Sequence, residues 1–354
     1  MTPTDEAPTS VHTTSLPELL TRFGITILVS TYQAGKLIIV RADEGKANTH
    51  FRTFHTPMGV AYDRNRLAVG THTTIWDFRN QPAVAAKLEP LGKYDACFLP
   101  RQIHYTGQIA IHEIAWSGSE LWAVNTRFSC LCTIDRESSF VPQWRPPFIS
   151  ALAPEDRCHL NGVSLVNGVP KFVSVLGTTD TAGGWRENKR NGGLLMEVPS
   201  GRVIATGLSM PHSPRWYEGK LWFLESGDGT LSTCDPATGK TTVIARMPGF
   251  TRGLDFFGPF AFVGLSQVRE TAVFSGLPLT DRIPVEERSC GMWVIDTRNG
   301  QMIAFLRFEA GVREVFAVTV LPGIKFPELF NEPGDEHIAT SYVLPDEALV
   351  DVAK

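Results

Sequence analysis

Residues 107–126 read GQIAIHEIAWSGSELWAVNT and contain the pattern from which the fold can be inferred. Two mainly apolar runs flank a Ser-Gly turn, so the stretch predicts two antiparallel strands joined by a tight hairpin. The first run is strongly apolar, yet it carries His112 and then Glu113 near its start. Ionisable side chains in such a strand need partners in the folded protein, so core packing alone does not explain them.

The same pattern of strand, Gly or Asn turn and aromatic-aliphatic strand recurs along the chain. Its further copies lie at residues 58–71, 161–177, 212–227, 252–266 and, less completely, 314–323. A second pattern, a strand that ends in a polar turn, lies at residues 37–46, 74–82, 132–139, 195–202, 232–240 and 293–301. Asp followed within a few residues by Gly or Asn is typical of tight hairpins. The counts indicate six units of four strands, each roughly fifty residues long.

Four-stranded units of this length are typical of propeller blades, so we predict an all-β, six-bladed β-propeller. The sequence from Ile25 fits strands two to four of a blade, and residues 314–323 fit a first strand. The last blade should therefore close when the N-terminal strands pair with the C-terminal strand, which removes open sheet edges. The alternative fold is a pair of β-sandwiches, which predicts neither a fixed unit nor matched ends.

We expect one propeller domain over residues 15–330, opening with a helix over residues 15–24. The polar, Pro- and Thr-rich residues 1–14 are expected to form a mobile N-terminal tail, and residues 331–354 a C-terminal tail. The N-terminus lacks the basic and apolar segments of a secretory signal, and no apolar run has the length of a membrane span. A cytoplasmic location is the resulting expectation.

Composition is ordinary for a globular protein with a sizeable core. The 354 residues are 43% hydrophobic and 20% charged, with a net charge of −4. This balance gives no reason to expect binding to nucleic acid or to a membrane. Six cysteines occur without any C-x-x-C pair. Cys130 and Cys132 share one face of a strand, either as two metal thiolates or, as we favour, as small buried residues in a reducing compartment.

The first strand of each propeller blade lines the central channel, so equivalent positions in the six strands form a ring. Alignment of these strands on a shared apolar step places one residue of each at the same height. These residues are Met58, His112, Asn161, His212, Arg252 and Glu314. Five of the six are polar or ionisable, which core packing alone does not explain.

Three members of this ring, His112, His212 and Glu314, come from alternate blades. Two imidazoles and one carboxylate form a facial ligand set for a divalent metal, so we predict a metal ion here, which is Zn, Fe, Mn, Ca or Mg. Asn161 would add an oxygen ligand or a hydrogen bond. His159 is the replacement ligand if the alignment slips by a residue. The alternative is a solvated, hydrogen-bonded channel without catalysis.

Loops that lead into first strands and loops that join second to third strands emerge on one face of a propeller. The predicted catalytic residues are His159, His104, Arg252 and Arg157, and the predicted substrate-binding residues are Arg127, Arg101, Trp185, Arg186, Asn161, Arg269 and His72. Arginine grips carboxylate, phosphate or sulfate bidentately, which favours an anionic substrate. The alternative for any one arginine is a structural pair between blades. The opposite face carries plain solvated hairpins.

Long motifs carry a resemblance to a known family. Among them are DACFLPRQIHYTGQIAIHEIAW at residues 95–116, NTRFSCLCTID at residues 125–135 and TDTAGGWRENK at residues 179–189. With them, the chain from residue 25 to residue 327 resembles a bacterial family of uncharacterised, conserved hypothetical proteins, sometimes found beside tetratricopeptide repeats. The resemblance implies family membership and a tetratricopeptide-repeat partner, but no particular activity.

More distantly, the repeat is similar to six-bladed propellers of the gluconolactonase, strictosidine-synthase and peptidyl-glycine lyase kind. Several of those hold a metal over the central channel. Antibiotic-opening lyases of related shape use histidines and a glutamate near the axis, similar to His112, His212 and Glu314. This is a likeness of fold, which does not establish function.

These residues are consistent with two functions. The first is a metal-dependent lyase or hydrolase, or an Fe(II) redox enzyme, acting on an anionic small molecule or peptide, with His159 or His104 as general base or acid. The second is a non-catalytic propeller that binds a peptide or partner protein on the same face. The second function predicts no tightly bound metal and tolerance of His112→Ala and His212→Ala.

Overall fold

The chain forms a six-bladed β-propeller in the computed structural model, which describes residues 7–268 and 275–352. Six sheets surround one axis, each contains the four antiparallel strands of one blade, and two of the sheets carry one added outer strand. Innermost strands of neighbouring blades contact each other around that axis. The predicted fold class is confirmed.

The N-terminal half contains one outer strand, a helix, three strands of the closing blade, and blades one to three. The first part comprises β1 (Thr9–His12), α1 (Ser15–Phe23), β2 (Ile25–Thr31), β3 (Lys36–Asp43) and β4 (Lys46–Thr53). Blade one comprises β5 (Val60–Asp63), β6 (Arg66–Gly70), β7 (Thr74–Asn80), α2 (Pro82–Ala85) and β8 (Ala96–Tyr105). Blade two comprises β9 (Ile111–Ser117), β10 (Glu120–Asn125), β11 (Cys130–Thr133) and β12 (Val141–Trp144). Blade three comprises β13 (Leu160–Val166), β14 (Val169–Val175), a 3₁₀ helix (Gly184–Asn188), β15 (Gly193–Glu197) and β16 (Val203–Leu208).

The C-terminal half contains blades four and five, the inner strand of blade six, and the end of the chain. Blade four comprises β17 (Pro211–Tyr217), β18 (Lys220–Glu225), β19 (Thr230–Cys234) and β20 (Thr241–Arg246). Blade five comprises β21 (Phe250–Phe257), β22 (Phe260–Ser266), α3 (Pro278–Arg282), a 3₁₀ helix (Val285–Glu287), β23 (Cys290–Asp296) and β24 (Met302–Ala310). The last part comprises β25 (Ala317–Pro322), β26 (Pro327–Leu329), α4 (Glu336–Thr340) and α5 (Asp346–Leu349).

Blade six is built from both ends of the chain. β25 pairs antiparallel with β2, from Ala317 opposite Ser30 to Pro322 opposite Ile25. β3 and β4 then continue the sheet outward. This closure is the one predicted from the sequence, and the pairing leaves neither strand with an open edge at the joint.

The end segments are fastened to the blades on either side of blade six. β1 pairs with β24 of blade five, so the predicted mobile tail over residues 1–14 is wrong for Thr9–His12. β26 pairs in parallel with β8 of blade one. Within the predicted C-terminal tail, Ile338 of α4 packs on a small apolar cluster that includes Leu99. Outer strands offer unpaired backbone groups, and these segments satisfy them.

Apolar side chains fill the clefts between neighbouring blades. Separate clusters lie between each pair of adjacent blades around the ring. α1 adds Leu16 and Leu20 to the cluster between blades five and six and ends at Gly24, whose φ is 60°. In the part of the chain that the structure describes, no helix combines the length and apolarity needed to cross a bilayer.

All six cysteines are buried as free thiols. Burial raises the pKa of Cys130 and of Cys158 to about 12. Burial likewise raises the pKa of Cys132. Because thiolates are what metals bind, the interpretation of Cys130 and Cys132 as small core residues agrees with the structure better than a thiolate site does.

Candidate functional site

A small cavity lies on the propeller axis, among the innermost strands and the residues that precede them. It is lined by Gly59, Val60, His112, Glu113, Asn161, His212, Ser213, Arg215, Arg252, Gly253, Phe316 and Ala317. Four of the six predicted ring residues are in this set. These four ring residues therefore share one small space, and polar side chains of four blades, two to five, face it.

The inner strands of blades two to five are interrupted at the same place. Each shows a register shift against its neighbour, beside His112, Asn161, His212 and Arg252 respectively. A β-bulge of this kind inserts residues that do not pair and re-aims their side chains. The bulges explain how strands that are otherwise apolar present polar groups to the axis.

His112 and His212 are held in the same local geometry. Nδ1 of His112 donates to the carbonyl oxygen of Ala110 at 3.0 Å, and Nδ1 of His212 donates to that of Met210 at 2.7 Å. Both carbonyls belong to residues with positive φ, 53° for Ala110 and 49° for Met210, a backbone conformation that residues other than glycine rarely adopt. These bonds fix the proton on Nδ1 and leave the Nε2 lone pair of each ring available.

Both histidines are neutral at neutral pH. Burial lowers the pKa of His112 well below its ordinary value, and the nearby His159 and Arg252 lower it further. Burial also lowers the pKa of His212, again with a contribution from Arg252. Neutral imidazoles accept through Nε2, so this layer of the cavity presents lone pairs.

Asn161 lies in the layer of His112 and His212. The residue is only 4% exposed, and its Nδ2 has no hydrogen-bond partner among the described residues. Buried amide groups in native proteins are nearly always paired, with protein, water or ligand. The unsatisfied amide therefore points to a bound group or ordered water in the cavity.

Arg252 and Phe316 form another part of the wall, where the Phe316 ring also contacts the His112 ring at a centroid distance of 5.3 Å. The guanidinium carbon of Arg252 lies 3.6 Å from the ring centroid of Phe316, and Nη1 lies 3.3 Å from Oε1 of Glu314. Burial lowers the pKa of Arg252 to about 10, a shift that Glu314 only partly opposes. Arg252 is still cationic at neutral pH, and it has more donors than this one ion pair uses.

Below this layer, Glu113 and Asp255 flank Arg215. Glu113 pairs through Oε1 with Arg215 and accepts the Val163 N–H at Oε2, 2.9 Å away. Asp255 accepts the Val320 N–H at 2.8 Å. Burial would lower the pKa of Arg215, but Glu113 and Asp255 outweigh it and raise it. Each carboxylate thus joins its own blade to the inner strand of the next one.

His159 lies beside the cavity, over His112. Its ring centroid is 4.7 Å from that of His112 and 4.3 Å from that of Trp185. Nδ1 of His159 bonds to Oδ1 of Asp156 at 2.8 Å, while Oδ2 of Asp156 accepts from Trp185 Nε1 and from Arg186. Asp156 and His159 both have φ of 50°, so this loop holds its histidine in a strained backbone.

Other predicted site residues on this face have local partners and do not line the cavity. Arg157 bonds to Glu155 and Asp180, which suits the structural alternative. His72 lies 4.8 Å from the ring of His55. Gln108 contacts both Nε2 of His72, at 3.0 Å, and Arg127, at 3.4 Å. Arg157 lies in the loop before β13, His72 after β6 and Arg127 after β10.

Three predicted site residues lie either away from the axis or outside the described residues. His104 and Arg101 lie on β8, the fourth strand of blade one counting from the axis, and His104 bonds to the Ser139 carbonyl at 3.0 Å. The structure therefore does not bring either residue to the cavity. Arg269 lies outside the described residues.

The predicted metal set is brought together only in part. His112 and His212 share the cavity, but Glu314 is paired with Arg252. Within residues 7–268 and 275–352, no three His, Cys, Asp or Glu side chains are grouped closely enough to hold one metal ion. Any third protein ligand beside His112 and His212, as the structure stands, would have to be of another residue type.

Sequence reasoning missed Phe316 and the layer formed by Glu113, Arg215 and Asp255, which is called the lower layer from here on. Arg215 and Asp255 occupy the position on which the six inner strands were aligned. Two opposite charges at the same height could have indicated an ion-paired layer. Glu113 was visible but had no partner in the sequence, because Arg215 lies about a hundred residues away in a different blade. Phe316 gave no signal of its own.

Residues 14–330 match the model of a family described as Domain of unknown function (DUF4915). The chain belongs to the DUF4915 family. Its membership of an uncharacterised family is thereby confirmed. Among solved structures, the propeller is similar to a chain of a nidogen/laminin complex, with 10% sequence identity, a TM-score of 0.53, and coverage of 85% of this chain and 100% of that chain. At this identity the likeness supports the DUF4915 fold alone. No curated protein matches the chain. The likeness to lactonase, synthase and lyase propellers stays a prediction.

Proposed function

We propose that the protein is a metal-dependent enzyme of the lyase or hydrolase type, which acts on an anionic small molecule or peptide at the axial cavity. One observation carries the proposal: His112 and His212 line the same cavity, and each donates Nδ1–H to a backbone carbonyl, which leaves the Nε2 lone pair of each ring available. Metal-ligating histidines almost always donate their other ring N–H in this way.

The remaining parts of the site have roles that fit such chemistry. A bound divalent metal would polarise a carbonyl or activate a water. Arg252 would bind the anionic group of the substrate, since its guanidinium lines the cavity beside the apolar ring of Phe316. His159, oriented by Asp156, is the general base or acid in this proposal. Two imidazole ligands favour Zn or Fe over Ca or Mg.

Metal content of full-length protein, purified without a polyhistidine tag, tests the proposal. We expect about one equivalent of Zn or Fe in the wild type and none in His112→Ala/His212→Ala. His104→Ala is the matched control, because His104 is hydrogen-bonded on the outer strand β8 and should leave the metal in place. A wild type that takes up no Zn, Fe or Mn, even when these ions are supplied, would refute the proposal.

The second candidate is a propeller that binds a peptide or partner protein without catalysis, such as the tetratricopeptide-repeat partner predicted from the resemblance. It is favoured by the absence, among the described residues, of any close group of three His, Cys, Asp or Glu side chains. This function predicts that metal-free protein binds its partner, and that the double variant His112→Ala/His212→Ala binds it equally well. Affinity measured on both proteins separates the two candidates.

A further inference from the structure

We propose that Asn161 completes the axial metal site through its amide oxygen, in the place that the sequence assigned to Glu314. The resulting ligand set is His112, Asn161 and His212, from blades two, three and four. This inference rests on the proposed function, because it concerns the same metal ion. It names the third ligand, the face of the ion that stays open, and the class of substrate that fits there.

Position is the first argument. Asn161 lines the same cavity as the two histidines, and all three residues lie beside the β-bulge of their inner strand. Because blades two, three and four are consecutive, their bulges place the three side chains along one side of the axis. Three ligands on one side of an ion form a facial set, which leaves the other side open.

The unsatisfied amide is the second argument, and it is independent of the histidines. Asn161 is 4% exposed, and its Nδ2 makes no hydrogen bond with any described residue. The cost of burying such a group argues for a partner that comes from outside the chain. Rotation about the last side-chain bond exchanges the amide nitrogen and oxygen, and the oxygen is a metal ligand.

Glu314 is already engaged. Its carboxylate pairs with Arg252, and burial raises the pKa of Glu314. The carboxylate of Glu314 is therefore not free to bind a metal ion beside His112 and His212. Glu314 instead holds the guanidinium at the wall of the cavity. An amide also explains why no group of three His, Cys, Asp or Glu side chains is found in the described ranges, since asparagine is outside that set.

The open side of the ion identifies a substrate class. It faces Arg252 and Phe316 from blades five and six. Three neutral ligands leave the full double charge on the ion, so an anionic group gains from both the ion and Arg252. The site therefore favours a ligand with a small anionic group, such as a carboxylate.

Co²⁺ binding to metal-free, untagged, full-length protein tests the inference, with affinity read from visible absorption and stoichiometry from elemental analysis. We expect Asn161→Leu to weaken Co²⁺ binding by about 100-fold, and Glu314→Gln to change it by less than about threefold. Asn161→Asp should tighten binding by about tenfold or more, since it adds a negative charge to the ligand set. A gain in affinity cannot arise from misfolding, so this variant decides the question even if Asn161→Leu does not fold.

Asn125 provides the matched control. Its Nδ2 is also buried without a partner among the residues that the structure describes, but Asn125 lies outside the cavity and its Oδ1 accepts from the Phe128 N–H at 3.0 Å. Asn125→Asp keeps that acceptor and should leave Co²⁺ affinity unchanged. If Asn161→Asp and Asn161→Leu both bind Co²⁺ like the wild type while His112→Ala does not, the inference is wrong and the proposed function stands. If the wild type binds no Co²⁺, both are wrong.

Discussion

Replacing Glu113 by glutamine should destabilise the propeller, because it removes the negative charge from the buried pair with Arg215. Glutamine keeps the size of the side chain and an oxygen for the Val163 N–H, so the charge is the main change. The side chains of Glu113 and Arg215 are 11% and 27% exposed. Removing one partner of a fully buried pair costs about 3–5 kcal/mol. Arg215 retains some solvent contact and the attraction of Asp255, so we expect a loss of about 2–3 kcal/mol.

Urea denaturation followed by tryptophan fluorescence measures this loss. The control is Glu309→Gln, which breaks the exposed pair with Arg307, where the side chains are 49% and 45% exposed. An exposed pair of this kind contributes less than about 1 kcal/mol. Adding Arg215→Met to Glu113→Gln should recover part of the stability, since no unpaired charge then stays buried. If Glu113→Gln costs no more than Glu309→Gln, the lower layer does not join the blades as described.

Three further predictions concern other parts of the fold. Burial would raise the pKa of Glu328, but His50, the Leu329 N–H and Arg52 lower it to about 2. The ionised carboxylate therefore contributes about 3 kcal/mol to the free energy of unfolding above pH 4.5, and this contribution is lost as pH falls towards 2. Melting temperatures of wild type and Glu328→Gln should converge over that interval, and a gap that persists at pH 2 would contradict the assignment. Gly162→Ala should lower the free energy of unfolding by about 1–3 kcal/mol in urea denaturation, because its Cβ would lie 2.5 Å from Pro214. Gly334→Ala is the control, because a Cβ there would meet no atom within 4 Å and Gly334, like Gly162, does not have positive φ. All six thiols should stay unreactive towards a disulfide reagent until denaturant is added, and prompt modification of any buried one in native protein would count against this packing.

The fold was predictable because a propeller repeats its pattern within one sequence. Apolar alternation and hairpin turns recurred at a fixed spacing, and the unmatched ends could only complete one blade. Repetition also fixed the height of His112, Asn161, His212 and Arg252, since each lies at the same step of its strand. The tail over residues 1–14 could not be recognised as a strand, because β1 is made by its pairing with β24 and not by its own composition.

The errors in the site have one physical source, which is that partners lie far apart in the sequence. Glu314 precedes β25, so strand register did not constrain it, and its ion pair with Arg252 is set by a neighbouring blade. His104 looked like part of a loop because it precedes the next inner strand, yet β8 continues through Tyr105 and holds it at the rim. Glu113 could be understood only once the position of Arg215, in another blade, was known.

The fastening of both chain ends has a mechanical consequence. β1 is joined to blade five and β26 to blade one, so each flank of blade six is bridged by a different end of the chain. A force that pulls the termini apart would load these two ladders along their strands, in shear, before it reached the joint between β25 and β2. Resistance to such a pull would then depend on how many ladder bonds break together, and the shorter ladder, that of β26, would yield first.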